Sequence, residues 1–212
     1  MSTSSPVAFP ECILIIGPMI SGKTTELQRL TYQRSLSKRC ILLDHLNDFA
    51  VSNVQMASRT SDMCGLRAKL VSHGNQEMDA IFIDNLSQFL ETEDYANAEV
   101  ISINELQFFD AGDVRYFIER ARYVDHKHLI LCGLASDSEN DHFMDFNYLI
   151  PQCTQVTKLS AKCYVKSCFN DAHRTYANFN KQSRTAVNTA KDAYVPLCDA
   201  HWFQAQTIGT IP

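Results

Sequence analysis

Apolar residues gather in short runs separated by longer polar or amphipathic stretches, and this spacing predicts strands alternating with helices. Cys12–Ile16 reads Cys-Ile-Leu-Ile-Ile and stops at Gly17-Pro18, which suits a buried strand. Residues 23–36 contain no proline or glycine and predict a helix. Its apolar face is thin: Leu27, Leu30 and Thr31 share a side with Arg34, and Leu36 falls off it. Residues 40–43 predict a second strand, and residues 99–103 and 128–133 two more. Residues 113–123 place Val114, Phe117, Ile118 and Ala121 on one face and predict a helix. Residues 80–84 fit either a strand ending on Asp84 or part of a helix running to Leu90, and the pattern leaves both open. Residues 54–74 read as a surface loop or hairpin. The alternation as a whole predicts an α/β fold with a mainly parallel sheet covered on both faces.

A chain of 212 residues with 45% hydrophobic composition can bury one substantial core and carry a small appendage. From Ser160 onward the composition turns polar and aromatic, so the expected organisation is a main domain over 1–159 and an accessory lobe over 160–212. The net charge of -5 weighs against a broad nucleic-acid or anionic-membrane surface. Met1 to Pro10 shows no secretory pattern, and no apolar run approaches the roughly 20 residues that span a bilayer. A cytoplasmic protein is expected. Of the eight cysteines, Cys12, Cys40 and Cys132 fall in or beside strands as small hydrophobes. Cys163, Cys168 and Cys198 lie in the polar C-terminal region, where metal binding is more plausible than a disulfide framework.

The segment Gly17-Pro18-Met19-Ile20-Ser21-Gly22-Lys23-Thr24 fits the pattern of glycine, four residues, then Gly-Lys-Thr in full. Its glycines permit a tight turn with backbone donors facing phosphate oxygens, Lys23 can reach the terminal phosphates, and Thr24 can ligate magnesium. The helix that follows adds a positive end. This predicts a P-loop nucleotide-binding fold and leaves the reaction open among kinase, ATPase, GTPase and plain binder.

The longer run from Pro18 to Leu27 resembles the extended P-loop of the cellular and poxvirus type of thymidine kinase. Asn104-Glu105-Leu106-Gln107-Phe108-Phe109 is similar to that family's Asp-Glu-Gly-Gln-Phe-Phe segment. Leu149-Ile150-Pro151 and residues 156–161 resemble the stretch before its zinc-bearing lobe. The resemblance runs discontinuously from about residue 10 to 203. It implies ATP-dependent phosphorylation of thymidine to dTMP for DNA synthesis, with ATP and Mg²⁺ at the P-loop, and a homo-oligomer, commonly a tetramer. Glu105 stands where the family has its base for the nucleoside 5′-hydroxyl; by itself it reads as a salt-bridged or solvated strand end.

Several positions depart from the family pattern. Asn104 replaces the magnesium-associated aspartate, keeping size and hydrogen bonding but losing charge. Asp84 is an alternative acid for the cation, although a helix cap or solvated acid is the simpler reading. Leu106 replaces a glycine and brings bulk. Ser72-His73-Gly74 resembles a Thr-His-Asp segment without its acid, and His73 reads as a loop organiser. Phe143 keeps an aromatic of the thymine pocket, whereas Ala135 and Ser138 replace an aspartate and a second aromatic. Residues 187–190 and Tyr194 stand at the nucleoside-enclosing loop, keeping Val187 and the tyrosine but neither glycine. These departures carry the alternative of an impaired homologue that binds nucleotide without efficient transfer, or a regulatory scaffold.

The family also holds a structural zinc in its lobe. Cys163-x4-Cys168 and Cys198-x2-His201 can supply a closed tetrahedral set, with two more intervening residues in the first pair than the usual Cys-x2-Cys. His201 can alternatively pack beside Trp202, and His173 is a competing ligand.

Overall fold

The computed structural model describes residues 9–49, 58–59, 64–72, 75–143, 146–179 and 192–212. In chain order the main domain runs β1 (Cys12–Ile16), α1 (Lys23–Ser35), β2 (Cys40–His45), α2 (Leu46–Phe49), β3 (Ser58–Arg59), β4 (Leu66–Val71) and β5 (Glu77–Ile83). It continues through α3 (Leu86–Phe89), α4 (Glu93–Asn97), β6 (Val100–Ile103), a 3-10 turn (Leu106–Phe108), α5 (Ala111–Ile118) and a π-helical turn (Glu119–Val124). β7 (His128–Gly133), α6 (Phe146–Gln152) and β8 (Gln155–Lys158) complete it. The lobe holds β9 (Ala161–Lys162), β10 (Asp171–Ala172), β11 (Arg174–Ala177), β12 (Tyr194–Leu197) and α7 (Asp199–Ile208).

The main sheet has the order β3-β4-β5-β2-β6-β7-β1-β8. Every pairing from β5 to β8 is parallel, and β3 with β4 and β4 with β5 are antiparallel. Side chains alternate between two cores, so Cys12 and Leu14 point to one face while Ile13 and Ile15 point to the other. Leu43, Ile101, Ile103 and Phe117 join the first core; Leu42, Phe82 and Ile130 join the second. Burial on both faces is why these strands read as unbroken apolar runs.

The thin stripe of α1 has a physical explanation in polar docking. Its Gln28 Nε2 donates to Leu70 O at 3.0 Å, and the Thr31 and Ser102 hydroxyls share a hydrogen bond at 2.6 Å. Residues 80–83 belong to a strand, which ends before Asp84, and Asn85 caps the next turn by accepting from Gln88 N at 2.9 Å. Within 54–74, the described residues form the β3–β4 hairpin pairing. The helix expected over 113–123 starts earlier, at Ala111, where Asp110 accepts from Gly112 N and Asp113 N, and it widens to π geometry from Glu119.

The lobe pairs β9 with β10 and β11 with β12, both antiparallel, around a small core of Tyr176, Val195, Leu197 and Ala205. It meets the main domain through polar contacts. Thr175 Oγ1 accepts from Met19 N at 3.0 Å, and Ser138 O accepts from Trp202 Nε1 at 3.2 Å and Gln206 Nε2 at 2.8 Å. Among the described residues no helix is long and apolar enough to cross a membrane. All eight cysteines are free; Cys12 and Cys132 are buried and Cys40 is half-buried.

Candidate active site

β1 delivers the chain into residues 17–24, and the turn there depends on tight local geometry. A Cβ on Gly17 would lie 2.8 Å from Leu159 O, so a larger residue would force β8 away from β1. Gly22 adopts φ 82° at the helix N-cap, and Ile20 takes φ 62°, a left-handed conformation that costs a non-glycine residue about 1–3 kcal/mol. Lys23 is only 6% exposed; its ammonium donates to Pro18 O at 2.8 Å, as does the Ser21 hydroxyl. Residues 19–25 and Glu105 line one pocket of about 300 Å³. A buried ammonium and a carboxylate thus face the same space.

Glu105 follows β6 with φ 45° and ψ 46°, a second non-glycine residue in the left-handed region. Gln107 holds it: Nε2 donates to the Glu105 carboxylate while Oε1 accepts from Leu134 N at 2.9 Å, tying the acid to the end of β7. Gly133 leaves room for this bridge, since a Cβ there would sit 2.9 Å from Gln107 Oε1 and 3.2 Å from Leu106 Cβ. The bulk of Leu106 goes into the main core, fully buried, and is absent from the pocket lining.

Asn104 is 1% exposed, and its Nδ2 donates to Asp44 Oδ2 at 2.9 Å across the β2–β6 edge. Its Oδ1 is buried and has no hydrogen-bond partner among the described residues, an arrangement that costs about 1–3 kcal/mol unless a cation or water satisfies it. Asp44 is fully buried and also accepts from His45 N at 2.7 Å. Burial, with Asp48 and Glu105 nearby, raises Asp44 well above the usual carboxylate range. Burial and Glu105 push Asp48 up to about 7. Four residues that can bind a cation or a proton therefore meet at the strand ends. Asp44 and Asp48 were not singled out from sequence; the available signal was an acid at the predicted end of β2 and another four residues on.

These shifts set a pH dependence. A carboxyl whose folded value lies above its unfolded one keeps a proton that the unfolded chain has released, so stability falls as pH rises between about 4 and 7. The melting temperature of zinc-replete, magnesium-free protein should fall from about pH 5.5 to 7.5, and Asp48→Asn should flatten that decline. A decline identical in the variant would remove Asp48 as its source.

The remaining expected site residues divide. Thr24 lines the pocket with Lys23. Asp84 is exposed at the end of β5, on the far side of β2 from β6, with its charge near His45. Phe143 packs on the main core, and Tyr194 stacks edge-on against Phe179 with ring centroids 5.1 Å apart. Neither lines the pocket around Lys23. Val187, His73 and Gly74 lie outside the described residues. Ala135 lines an adjoining cleft of about 330 Å³ with Gly17, His173 and Thr175, while Ser138 is buried and its carbonyl anchors α7.

In the lobe, the ligand atoms of Cys163, Cys168, Cys198 and His201 all lie within 4.8 Å of one another. His201 Nδ1 is 3.3 Å from Cys163 Sγ and 3.4 Å from Cys198 Sγ, separations suited to four ligands around one zinc. The wider Cys163-x4-Cys168 spacing is taken up by a turn in which Ser167 has φ 67° and Cys168 N donates to Val165 O at 3.0 Å. His173 lines the cleft beside the P-loop and is not in the cluster. Three thiolates and an imidazole fit a closed structural zinc site with no open coordination position.

A family model described as thymidine kinase matches residues 11–202. A thymidine kinase of Choristoneura biennis entomopoxvirus is 32% identical over 196 residues, covering 92% of this chain and 97% of that protein. One of Amsacta moorei entomopoxvirus is 32% identical over 186 residues, covering 87% and 93% respectively. A thymidine kinase of Oryza sativa subsp. japonica is 30% identical over 202 residues, covering 93% of this chain and 68% of that protein. With a P-loop and an acidic strand end on one pocket, and the match spanning both the main domain and the lobe, the chain belongs to the thymidine kinase family.

Proposed function

We infer that this protein transfers the γ-phosphoryl group of ATP to the 5′-oxygen of thymidine, releasing ADP and dTMP. The observation that carries the reading is that Lys23 and Glu105 line one pocket. Phosphoryl transfer needs positive charge beside the migrating group and an acceptor for the alcohol proton, and these residues supply the two in one pocket. Glu105 receives the 5′-hydroxyl proton, Lys23 and the backbone donors of residues 17–24 hold phosphate oxygens, and Gln107 keeps the base aimed. Thr24 and Asn104 would hold Mg²⁺, which when bound neutralises phosphate charge. The unpartnered Asn104 Oδ1 fits that assignment.

Phe143, Val187 and Tyr194 are assigned to enclosing the nucleoside, on their places in the family pattern. The lobe over 160–212, stapled by zinc, covers the acceptor side of the P-loop domain over 1–159. A cytoplasmic homo-oligomer, with a tetramer as the expected form, acting on small molecules without nucleic acid or membrane completes the reading, supported by family membership and the acidic net charge.

The test is phosphoryl transfer from labelled ATP with Mg²⁺, comparing thymidine, deoxyuridine and deoxycytidine. Thymidine-dependent product is expected, and Lys23→Ala should lower kcat about 10²- to 10³-fold, the scale of losing one preorganised charge donor. ATP binding without transfer to any of these nucleosides would overturn the assigned acceptor.

A further inference from the structure

The pairing of Asp44 with Asn104 points to a relocated acid at the cation site. This inference rests on the phosphotransfer reading and goes beyond it. Residue 104, at the end of β6, is an amide, so it cannot itself bring the negative charge that helps hold a divalent cation. The adjacent strand β2 ends level with it: Leu43 pairs with Ile103, and Asn104 N donates to Leu43 O at 2.9 Å. Asp44 therefore stands beside Asn104 and accepts from its Nδ2 at 2.9 Å. With the amide nitrogen on Asp44, Oδ1 is the buried atom with no partner among the described residues.

We propose that Asp44 is the positioning residue of the magnesium site, supplying from β2 the acid that residue 104 lacks and holding the Asn104 amide so that its carbonyl oxygen stays free for the cation or a water bound to it. The chemistry is that of an outer carboxylate behind a metal ligand. By accepting the amide proton it raises the electron density on the carbonyl oxygen and blocks rotation of the amide. Asp44 is fully buried, and its partners Asn104, His45 N and Asp48 include no cation, so burial favours its protonated form until the nucleotide's metal brings a counter-ion. Cation binding and burial of the acid then support each other. Asp48, hydrogen-bonded to Asp44, adds a further acid behind it.

The experiment is an exchange of acid and amide. Three proteins are compared with the parent, all zinc-replete: Asp44→Asn, Asn104→Asp, and the double exchange Asp44→Asn with Asn104→Asp. Mn²⁺ affinity is read by electron paramagnetic resonance in the presence of a non-hydrolysable ATP analogue, and the Mg²⁺ dependence of the reaction is read alongside. Metal-free binding of the analogue serves as the control for a folded P-loop. Asp44→Asn should weaken Mn²⁺ about 10- to 100-fold, the usual cost of losing an outer partner, and leave metal-free binding unchanged. The double exchange should return Mn²⁺ affinity to within about threefold of the parent, because it restores one acid and one amide in reversed places. Unchanged Mn²⁺ affinity in Asp44→Asn overturns the proposal. If that variant does not fold, the double exchange decides, and a folded double exchange that binds Mn²⁺ more than about tenfold more weakly than the parent also overturns it. A parent protein that binds Mn²⁺ with the analogue but phosphorylates no nucleoside would instead overturn the phosphotransfer reading and leave the role of Asp44 standing.

Discussion

Glu105→Gln should lower kcat by about 10²- to 10⁴-fold while thymidine and ATP affinities change little, the range expected for losing a positioned general base. The amide is the sharp substitution here because it keeps the length of the side chain and an oxygen that can accept from Gln107 Nε2, so the bridge to Leu134 N survives. What is lost is the capacity to take a proton. Glu105→Ala would confound this by releasing Gln107 and the end of β7 as well. The left-handed backbone at 105 sharpens the distinction: its conformational cost is the same for Glu and Gln, so a difference in rate cannot be charged to the turn. A drop of under about tenfold with normal substrate affinity would remove Glu105 as the base.

The part of this site legible in the sequence was the part built from contiguous residues. Residues 17–24 are contiguous, so the pattern alone pointed to the turn that walls the pocket around Lys23. The parallel sheet was legible for a related reason: strands buried on both faces must be apolar throughout, and Cys12–Ile16 and His128–Gly133 stand out from their surroundings. β8 was not, because it is an edge strand whose residues are mostly exposed and carry no apolar run. Nor was the docking of α1, which relies on Gln28 and Thr31 making buried hydrogen bonds where a periodicity argument looks for hydrocarbon.

The acidic partner of Asn104 was invisible for a topological reason. Asp44 and Asn104 are 60 residues apart and meet only because β2 inserts beside β6 in the sheet order. The amide at 104 could be read from the chain, but the acid that the fold sets beside it could not. The bulk of Leu106 shows the same limit from the other side. As a letter it threatens the pocket, and in the fold it fills the core beside Gly133, whose missing side chain makes the space.

Removing zinc should unfold the lobe selectively and abolish nucleoside phosphorylation while the P-loop domain stays folded. The apolar core of the lobe is a handful of side chains, among them Tyr176, Val195, Leu197 and Ala205, and two of the four expected ligands, Cys163 and Cys198, are counted in that same cluster. A core of this size does not offset the conformational entropy of some 50 residues, whereas a structural zinc contributes about 10–16 kcal/mol in small zinc modules. Metal removal therefore takes away most of what holds β9 to β12 and α7 together. The consequence reaches the active site through one hydrogen bond, Met19 N to Thr175 Oγ1, and through the α7 contacts of Trp202 and Gln206 to Ser138 O. Hydrogen exchange measured on metal-free protein, or on Cys163→Ser with Cys198→Ser, should show lost protection over residues 161–177 and 194–208 with β1, β6 and β7 still protected. Elemental analysis should find near one zinc per chain in the parent and none in the double variant. Retained protection across the lobe without metal would mean that its hydrocarbon core suffices, and zinc would then have no structural part in this protein.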